Sequence, residues 1–413
     1  MSISMKIANL QKSAVKGIVL LAVLTAPALI AGQAFAAGID LKKIPALKEY
    51  TPMAEPEFEK LTKKIEEPSP YGESLLSYEI RLPKNWTDNV QQPPITEAQK
   101  KLSGNFLGIV GRYIGAPKNL VRSYVTVEAQ EMTYEISAQN WFVNFILGNG
   151  FSLTAMTEKS PREIEAIYVQ VDKDQTYVVR TRMMFNGSKL IMVRYYLPQE
   201  NYEEEKALQA QIVSAFKLTK PVSERIEKQA VYGFLDQSYF NYPVSWTLKE
   251  KSILSIERMS ALLYQESRDN RIRVLDGHIK INVISRLLNT TMAQEVETFR
   301  ANLKIDKYKV GKLIENIGYD YDPSIKSGRA QVYELLPDDP VSMKTYELVV
   351  TIMQGDDYYY ITNMITPSRE QDFYNWAQNM EAMRIVNESM RRNNISLEVD
   401  PNDPYFDYLK EAQ

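Results

Sequence analysis

The chain contains no cysteine and only one histidine, His278, in 413 residues. Without cysteine there can be no disulfide, no thiol nucleophile and no lipid-anchored cysteine, and a zinc site of the Cys/His type is excluded in practice. Hydroxyl or thiol nucleophiles need a base beside them. His278 follows a glycine in a turn that opens a predicted strand, where a solvent-facing or capping role accounts for it. We therefore expect a fold held together by hydrophobic cores.

Glycine is also scarce, with 17 residues. Gly104, Gly108, Gly111 and Gly115 cluster in SGNFLGIVGRYIGAP, but no Gly-Lys-Ser/Thr follows them and no three-glycine pattern opens a helix after a strand. Neither common nucleotide-binding loop is supported. Spacings of three and four place these glycines on one helix face or along a close-packed strand. We expect structural packing, and a partner-docking segment is the alternative.

The sequence has no basic excess. Without the three lysines of the first 36 residues, 46 basic residues remain against 52 acidic ones. Nucleic-acid-binding proteins carry a basic footprint, so we do not expect nucleic acid as a partner. A mild negative balance is what solubility alone requires.

The N-terminus has the three parts of an export signal. Three lysines precede the first acidic residue, Asp40; residues 17–30 (GIVLLAVLTAPALI) are apolar, and Ala34-Phe35-Ala36 offers a small-x-small cleavage site. The alternative, an uncleaved anchor, would want about 20 apolar residues. We predict a signal peptide at 1–36 and, because cysteine is lacking, a mature chain in the periplasm that is not inserted in the membrane.

Two segments have a polar, irregular composition. Residues 37–71 mix both charges with five prolines, which predicts a flexible tether with room for one short helix at 57–66. Residues 391–413 form a polar tail. Its Asp400, Asn402, Asp403 and Asp407 could hold Ca²⁺, but an EF-hand loop counted from Asp400 has Tyr405 where glycine is required. Ordinary turns are the favoured interpretation, and we expect no metal or cofactor.

Several landmarks recur in the same order. Pro83-Lys84-Asn85-Trp86-Thr87 returns as Pro243-Val244-Ser245-Trp246-Thr247, and Ala138-Gln139 returns as Ala293-Gln294 at the start of a second predicted helix. Predicted hairpins around Gly187 and Gly355 are each followed by an amphipathic helix. This order predicts a duplication, with copies at 72–221 and 230–390.

Both copies show strands in consecutive hairpins with few helices. Residues 175–185 alternate, with Arg180 and Arg182 on the face opposite Tyr177, and Asn186-Gly187 predicts a type I′ turn. A helix is expected at 138–147 before Gly150, another at 203–218, and a last one that begins at Ser368. The pattern predicts an α+β protein of two similar domains, each a mainly antiparallel sheet packed with helices.

The run DQSYFNYPVSW at 236–246 resembles the Tyr-Pro-x-x-Trp opening of PsbP-like domains, named for an extrinsic photosystem subunit and similar in fold to the Ran-binding protein of yeast nuclear import. The first copy keeps Pro83 and Trp86 but has Leu82 in place of the tyrosine. The resemblance implies a central antiparallel sheet between helices, no shared catalytic residues, and a role in binding and assembly outside the cytoplasm.

Tyrosines and arginines are the candidate partner contacts. The chain has 26 tyrosines, and Tyr358-Tyr359-Tyr360 on a strand places at least one ring towards solvent. A sheet face covered by packed helices is the alternative. Arg180 and Arg182, with Arg194 on the return strand, could bind an anionic group or lie on a solvated face.

The sequence therefore favours a non-enzymatic periplasmic binding or assembly protein, with other envelope proteins as partners, for example in a secretion or conjugation machine. One alternative is a periplasmic carrier of a small molecule or metal ion, with a pocket between the copies. A hydrolase that uses a metal held by Asp and Glu is the third. Oligomeric state cannot be read from these features.

Overall fold

The protein is built mainly of antiparallel strands with a few helices, as the sequence predicts. The computed structural model describes residues 43–88, 108–118, 120–235, 237–265, 276–305, 308–337 and 345–392. The predicted signal peptide 1–36, Gly104 and the candidate calcium ligands from Asp400 onward lie outside these ranges. Within them, none of the helices has the length and apolar character needed to cross a membrane.

The chain divides into two compact units. Unit 1 comprises residues 1–228, 343–345 and 366–381, and unit 2 comprises 229–342, 346–365 and 382–413.

Among its described residues before residue 229, unit 1 has a large sheet, a small sheet and three α-helices. In chain order the elements are α1 (Glu55–Leu61), β1 (Thr62–Glu67), β2 (Tyr78–Pro83), β3 (Thr87–Asp88), β4 (Gly108–Ile114), β5 (Tyr124–Glu131), α2 (Ala138–Asn149), β6 (Ser152–Ser160), β7 (Glu163–Asp172), β8 (Gln175–Asn186), β9 (Lys189–Pro198), α3 (Tyr202–Ala215) and β10 (Lys217–Leu218). The large sheet has the order β3-β4-β5-β9-β8-β7-β6, and the small one β1-β2-β10.

The second half of the chain repeats this plan. Its elements are β11 (Gln229–Phe234), β12 (Ser238–Pro243), β13 (Thr247–Ser255), β14 (Arg258–Gln265), β15 (Gly277–Ser285), α4 (Met292–Ile305), β16 (Tyr308–Ile317), β17 (Ile325–Pro337), β18 (Tyr346–Gly355), β19 (Tyr358–Pro367), α5 (Phe373–Ser389) and β20 (Arg391–Arg392). The sheets are β13-β14-β15-β19-β18-β17-β16 and β11-β12-β20. Each strand order is that of unit 1 with ten added to every number. The first half of α5 falls in unit 1.

The large sheet of unit 1 is buried on both faces. Alternating residues of β7, β8 and β9 pack beneath α2, where Phe142 and Tyr168 are fully buried. The opposite residues, among them Val193 and Tyr195, pack against α3 and the small sheet. A strand that is buried on both sides needs apolar residues at nearly every position. Accordingly, β9 is apolar from Leu190 to Leu197 except at Arg194.

The described part of the expected tether, residues 43–71, is instead integrated into unit 1. Phe58 of α1 is 1% exposed in the core, and β1 pairs with the whole of β2, from Thr62 opposite Pro83 to Glu67 opposite Tyr78. The charges that suggested disorder join neighbouring elements, as in Lys64 with Glu79 at 2.7 Å. Backbone pairing needs no apolar side chains, so composition alone was a poor guide to order here.

The hairpin between β8 and β9 lies where predicted, but with a shifted turn. Asn186 pairs with Lys189, so the loop residues are Gly187 and Ser188, and within this loop only Gly187 has a positive φ, 59°. A type I′ turn would need two such residues. The Asn186 side chain is buried instead, and its amide donates to the carbonyl oxygens of Leu75 and Lys220.

One predicted helix end is confirmed, and two others differ from the prediction. Gly150 ends α2 in the left-handed conformation, as predicted. Helix α3 ends at Ala215, three residues before the predicted end, because Lys217 and Leu218 pair with β2. The last helix begins at Phe373, and the Asp372 carboxylate accepts from the Asn375 N–H, so the cap is Asp372 and Ser368 lies in the preceding turn.

Candidate functional site

The tyrosine run lies on the inner strand β19 and is not an exposed patch. Tyr358 and Tyr360 are 7% and 2% exposed, and the Tyr360 hydroxyl lies 3.1 Å from the Ser238 hydroxyl of the small sheet. Tyr359 is half-buried under the Arg286 guanidinium, 5.7 Å from its ring centre. Strand β19 is flanked by β15 and β18, and the small sheet contacts one of its faces. None of the three tyrosine rings is therefore fully exposed, although alternation along the strand predicted a solvent-facing ring.

The arginines of unit 1 are likewise occupied. Arg180 is buried and donates to Glu165 at 2.7 Å. Arg182 pairs with Glu163 at 2.8 Å and also donates to backbone carbonyl oxygens at the end of α3. On the other face, Arg194 pairs with buried Glu128 beneath α2. Their charges are satisfied within the unit, so we do not retain them as partner contacts.

The glycine-rich segment serves packing where it is described. A Cβ atom on Gly111 of β4 would lie 2.1 Å from the Tyr78 hydroxyl, and one on Gly115 would lie 3.0 Å from the Trp86 ring. The Tyr78 hydroxyl, in turn, lies 2.8 Å from that of Tyr113. Side chains at these two positions would displace buried aromatic rings.

The remaining polar candidates form no evident catalytic group. His278 is half-buried on β15, and its ring lies edge-on to Tyr264 at 6.4 Å. Across the described residues, no three acidic or histidine side chains come together in a way that could hold a metal ion.

Among the described residues, a cavity in unit 2 is the best candidate for a binding site. It has a volume of about 390 Å³ and lies between α4 and strands β16 to β18. Its roof is Val296 and Phe299 of α4, and its floor includes Leu348, Val350 and Ile352, which alternate along one face of β18. Ligand cavities usually enclose about 300–1,000 Å³ and are mostly apolar, so this one is large enough to bind a small molecule.

The helix N-caps show why the cavity lies in unit 2. In α2 the Ser137 hydroxyl accepts from the N–H three residues on, and in α4 the Thr291 hydroxyl does the same. Superposing these caps places Glu295 at the position of Trp141, Val296 at that of Phe142 and Arg300 at that of Ile146. The three residues of α2 are at most 3% exposed.

Two aromatic residues of α2 are thus replaced in α4 by a carboxylate and a valine. Phe299, the counterpart of Phe145, is the one aromatic residue kept at these positions. The cavity therefore follows from the side chains of α4 and needs no change of topology.

At the helix position of Trp141, α4 has Glu295, which holds the helix through an ion pair. Both Glu295 oxygens accept from the Arg258 guanidinium, at 3.0 and 2.6 Å. The hydrogen bonds from Arg258 lower the pKa of Glu295 and raise that of Arg258. A second, smaller cavity of about 170 Å³, lined by Lys280 and Asn282 among others, adjoins this pair. The helix is fixed without filling the space beneath it.

The two units also differ at the edge of the large sheet. In unit 1 the Pro45 carbonyl accepts from Met156 N–H and the Leu47 N–H donates to Thr157, so the N-terminal segment covers β6. In unit 2 the corresponding strand is β16, at the end of the described sheet. Its Leu313 and Ile314 are 46% and 40% exposed.

The sequence did not reveal this site, although the signal was present. Helix residues 138–149 contain one tryptophan and two phenylalanines, whereas 292–305 contain one phenylalanine and three charged residues that precede Lys304. A loss of apolar bulk from one copy to the other, at matched cap positions, indicates a less filled core.

Three comparisons with known proteins were made, and one of them found similar chains. No protein-family model matches the sequence, and no curated protein matches it. Among solved structures, the chain is similar to PsbP of the cyanobacterium Synechocystis, with 11% identity, 42% of this chain and 98% of that chain covered, and a TM-score of 0.28.

It is also similar to an immunity protein of the type VI secretion system of Pseudomonas aeruginosa, with 7% identity, coverages of 68% and 94%, and a TM-score of 0.21. The first match names the family that the sequence motif resembles. At TM-scores this far below 0.5, neither match carries information about what this chain binds or does.

Proposed function

We propose that this chain is a non-enzymatic binding protein of the bacterial envelope, formed by two PsbP-like copies, and that its second copy carries the ligand site. The cavity beneath α4 is the observation that carries the proposal. Its volume and apolar lining are those of a small-molecule site. At the helix position of Val296, which lines the cavity, unit 1 has Phe142 in its core.

Two features support the tandem assignment. The strand orders of both sheets recur with ten added to each number. The motif also folds alike in both places: Trp86 N–H donates to the Pro83 carbonyl and Trp246 N–H to the Pro243 carbonyl, each at 3.0 Å. Both tryptophans are buried, so the Pro-x-x-Trp motif makes the same buried turn twice.

Three of the buried carboxylates are engaged in ion pairs. Glu128, Glu165 and Glu295 are each at most 4% exposed, and each is paired with an arginine. A general acid or metal ligand would have to be released from such a pair before it could act. These three groups therefore have structural roles in the proposed account.

Export should leave a defined N-terminus. If residues 1–36 are a cleaved signal, the protein recovered from the periplasmic fraction of a Gram-negative host should begin at Ala37, because small residues at 34 and 36 fit the signal peptidase. Intact-mass measurement checks this. A protein that retains Met1 and stays in the membrane fraction would contradict the assignment.

The binding role is tested with a neutral apolar fluorophore, N-phenyl-1-naphthylamine. The wild-type protein should bind one probe per chain with a saturable rise in fluorescence. Val296→Phe, which introduces the residue of unit 1, should weaken binding at least about tenfold because the added ring occupies the cavity. Ile352→Trp fills the same space from the floor and should act alike.

Ala301→Phe provides the matched control, because residue 301 is exposed on α4 and does not line the cavity. It should bind the probe as the wild type does, and thermal melting confirms that each variant folds. Absence of saturable binding, or equal binding by Val296→Phe, would defeat the proposal.

Docking to an envelope protein is a second candidate, favoured by the edge strand β16. Its exposed leucine and isoleucine and its end position in the described sheet offer a place for strand addition. Breaks in the pairing register near Leu313 weaken it, since bulges are a common protection of sheet edges. Stable co-purification with an envelope protein, lost in Ile314→Lys, would favour this candidate.

A further inference from the structure

We infer that the ligand of the unit 2 cavity is a small amphipathic anion, with one carboxylate-type head and an apolar body. This inference rests on the proposed function, because it names the ligand class of the same site. It follows from the charges around the cavity, the chemistry of its floor and its volume.

The residues that line the cavity include cations and no acid. Arg300, Lys309 and Arg329 contribute three positive charges, and no aspartate or glutamate is in contact with the space. Arg300 has an exposed partner, Glu297, at 2.7 Å. The side chains of Lys309 and Arg329 form no ion pair or hydrogen bond with another described residue. Within the described part of the chain, these two cations beside the apolar cavity therefore have no carboxylate partner.

The two cations differ from the arginines that lie beside buried carboxylates. Arg180, Arg194 and Arg258 are all bound to carboxylates. Arg329 pairs with Ile352 and therefore lies on the cavity face of the sheet, whereas Lys309 pairs with Leu336 and lines the cavity from the edge strand. A carboxylate that enters with an apolar body would form charge-assisted hydrogen bonds there, which are stronger than neutral ones.

The two cations lie at opposite ends of the lining. Lys309 faces Leu336 of β17, and Arg329 lies seven residues before Leu336 on that strand. At about 3.3 Å per residue, their backbones are about 23 Å apart along the strand. The head of a ligand would thus bind at one end while its body covers Leu348 and Val350. Single variants can identify which end holds the head.

The volume limits the size of the ligand. A space of 390 Å³ equals about 13 water molecules at roughly 30 Å³ each. That suits a single alkyl or aromatic body of about a dozen non-hydrogen atoms. A phospholipid with two acyl chains is far larger, so the cavity fits a free single-chain anion better than a lipid in a membrane.

Displacement of N-phenyl-1-naphthylamine tests the inference with three matched probes, decanoate, 1-decanol and decyltrimethylammonium. Decanoate should displace the fluorophore at about a tenfold lower concentration than decanol, because only the carboxylate gains an ionic hydrogen bond. The ammonium compound should be the weakest of the three. Val296→Phe should bind none of them well.

Charge variants supply the specific readout. Lys309→Gln or Arg329→Gln, according to which end holds the head, should weaken decanoate binding about tenfold and leave decanol binding unchanged. Lys312→Gln is the control, since Lys312 is exposed on β16 but does not line the cavity. It should leave the binding of all three probes unaltered.

The outcomes separate the two proposals. If decanol matches decanoate and both glutamine variants are silent, the anion assignment falls while a ligand cavity stands. If neither the fluorophore nor any decyl probe binds, both proposals fall. Sedimentation with phosphatidylglycerol vesicles without binding of monomeric decanoate would overturn the inference in favour of a lipid surface.

Tighter decanoate binding by a chain that ends at Arg392 would also overturn the inference. It would indicate that the chain's own C-terminal residues, which include Tyr405 and five acidic side chains, compete for the site.

Discussion

Replacing Arg180 by methionine should destabilise unit 1 by about 3–5 kcal/mol. The Arg180 and Glu165 side chains are only 8% and 6% exposed, and their closest atoms are 2.6 Å apart. Removal of the guanidinium leaves the carboxylate buried beside Ser214, whose hydroxyl is its other contact at 3.4 Å. Breaking a buried pair costs more than the pair contributes, because the remaining charge keeps its desolvation penalty.

Denaturant unfolding followed by tryptophan fluorescence measures this effect. Three of the four tryptophans, Trp86, Trp141 and Trp376, lie in unit 1, so a Trp246→Phe background reports on that unit. The double variant Arg180→Met, Glu165→Leu should recover most of the loss, since no unpaired charge remains. A loss below 1 kcal/mol for Arg180→Met would show that water reaches the pair.

An exposed ion pair gives the scale for comparison. Glu59 lies 2.8 Å from Arg81 and its side chain is 54% exposed. Glu59→Gln should cost less than about 1 kcal/mol, as surface pairs do. Equal losses at Glu59 and Arg180 would contradict the burial-based explanation.

Raising the pH from about 4.5 to about 7 should weaken unit 1, by up to about 3 kcal/mol from Glu135 alone. Burial, and after it the nearby Glu381 carboxylate, raise the pKa of Glu135 to about 7. Arg225, Arg162 and the Glu227 N–H, which donates to Glu135 at 3.3 Å, oppose that rise. In the unfolded chain the same carboxyl has a pKa near 4.5.

The sign follows from proton binding. Between pH 4.5 and 7 the folded state holds a proton that the unfolded state has lost, so stability is complete below this window and declines as the pH rises through it. Glu135→Gln keeps the acceptor for the Glu227 N–H and removes the titration. It should flatten the decline and exceed the wild type in stability at pH 8.

Unfolding free energies at pH 5, 6, 7 and 8 check this, with Glu200→Gln as a control at an exposed position. The control should follow the wild-type profile. An undiminished decline in Glu135→Gln would assign the pH dependence to another group.

Much of the fold was predictable because local signals and tertiary context agree there. The alternation in β8 places Val179 and Met183 beneath α2, as the pattern predicts. Ser137 and Gly150 bound α2 through their own cap chemistry. The segment at 43–71 was not predictable, because β1 is held by backbone pairing to β2, and no pattern within the segment itself encodes that partner.

The site was harder to predict, for a physical reason. Alternation tells which face a residue shares, but it does not tell whether another layer covers that face. Tyr360 and Arg180 lie on the faces that their spacing predicts, and in both cases a packed element or a carboxylate covers them. The cavity exists because α4 lacks large apolar side chains, and such a lack produces no recognisable sequence motif.

Comparing α2 of unit 1 with α4 of unit 2 shows a difference that neither helix shows alone. With the N-caps superposed, Phe142 and Val296 occupy the same helix position, and the difference of one ring distinguishes a packed core from a cavity. The bidentate contact of Arg258 with Glu295 then keeps α4 in place over the open space. We propose that unit 1 acts mainly as a scaffold and unit 2 as the binding module.

The most direct test of this account is a crystal structure of the protein soaked with 10-bromodecanoate, with the anomalous scattering of bromine recorded. The account predicts one strong bromine site beneath α4, between Phe299 and the floor of Leu348 and Val350, and none in Val296→Phe. Bromine bound only elsewhere, or a space beneath α4 that is closed by side chains in the crystal, would contradict it.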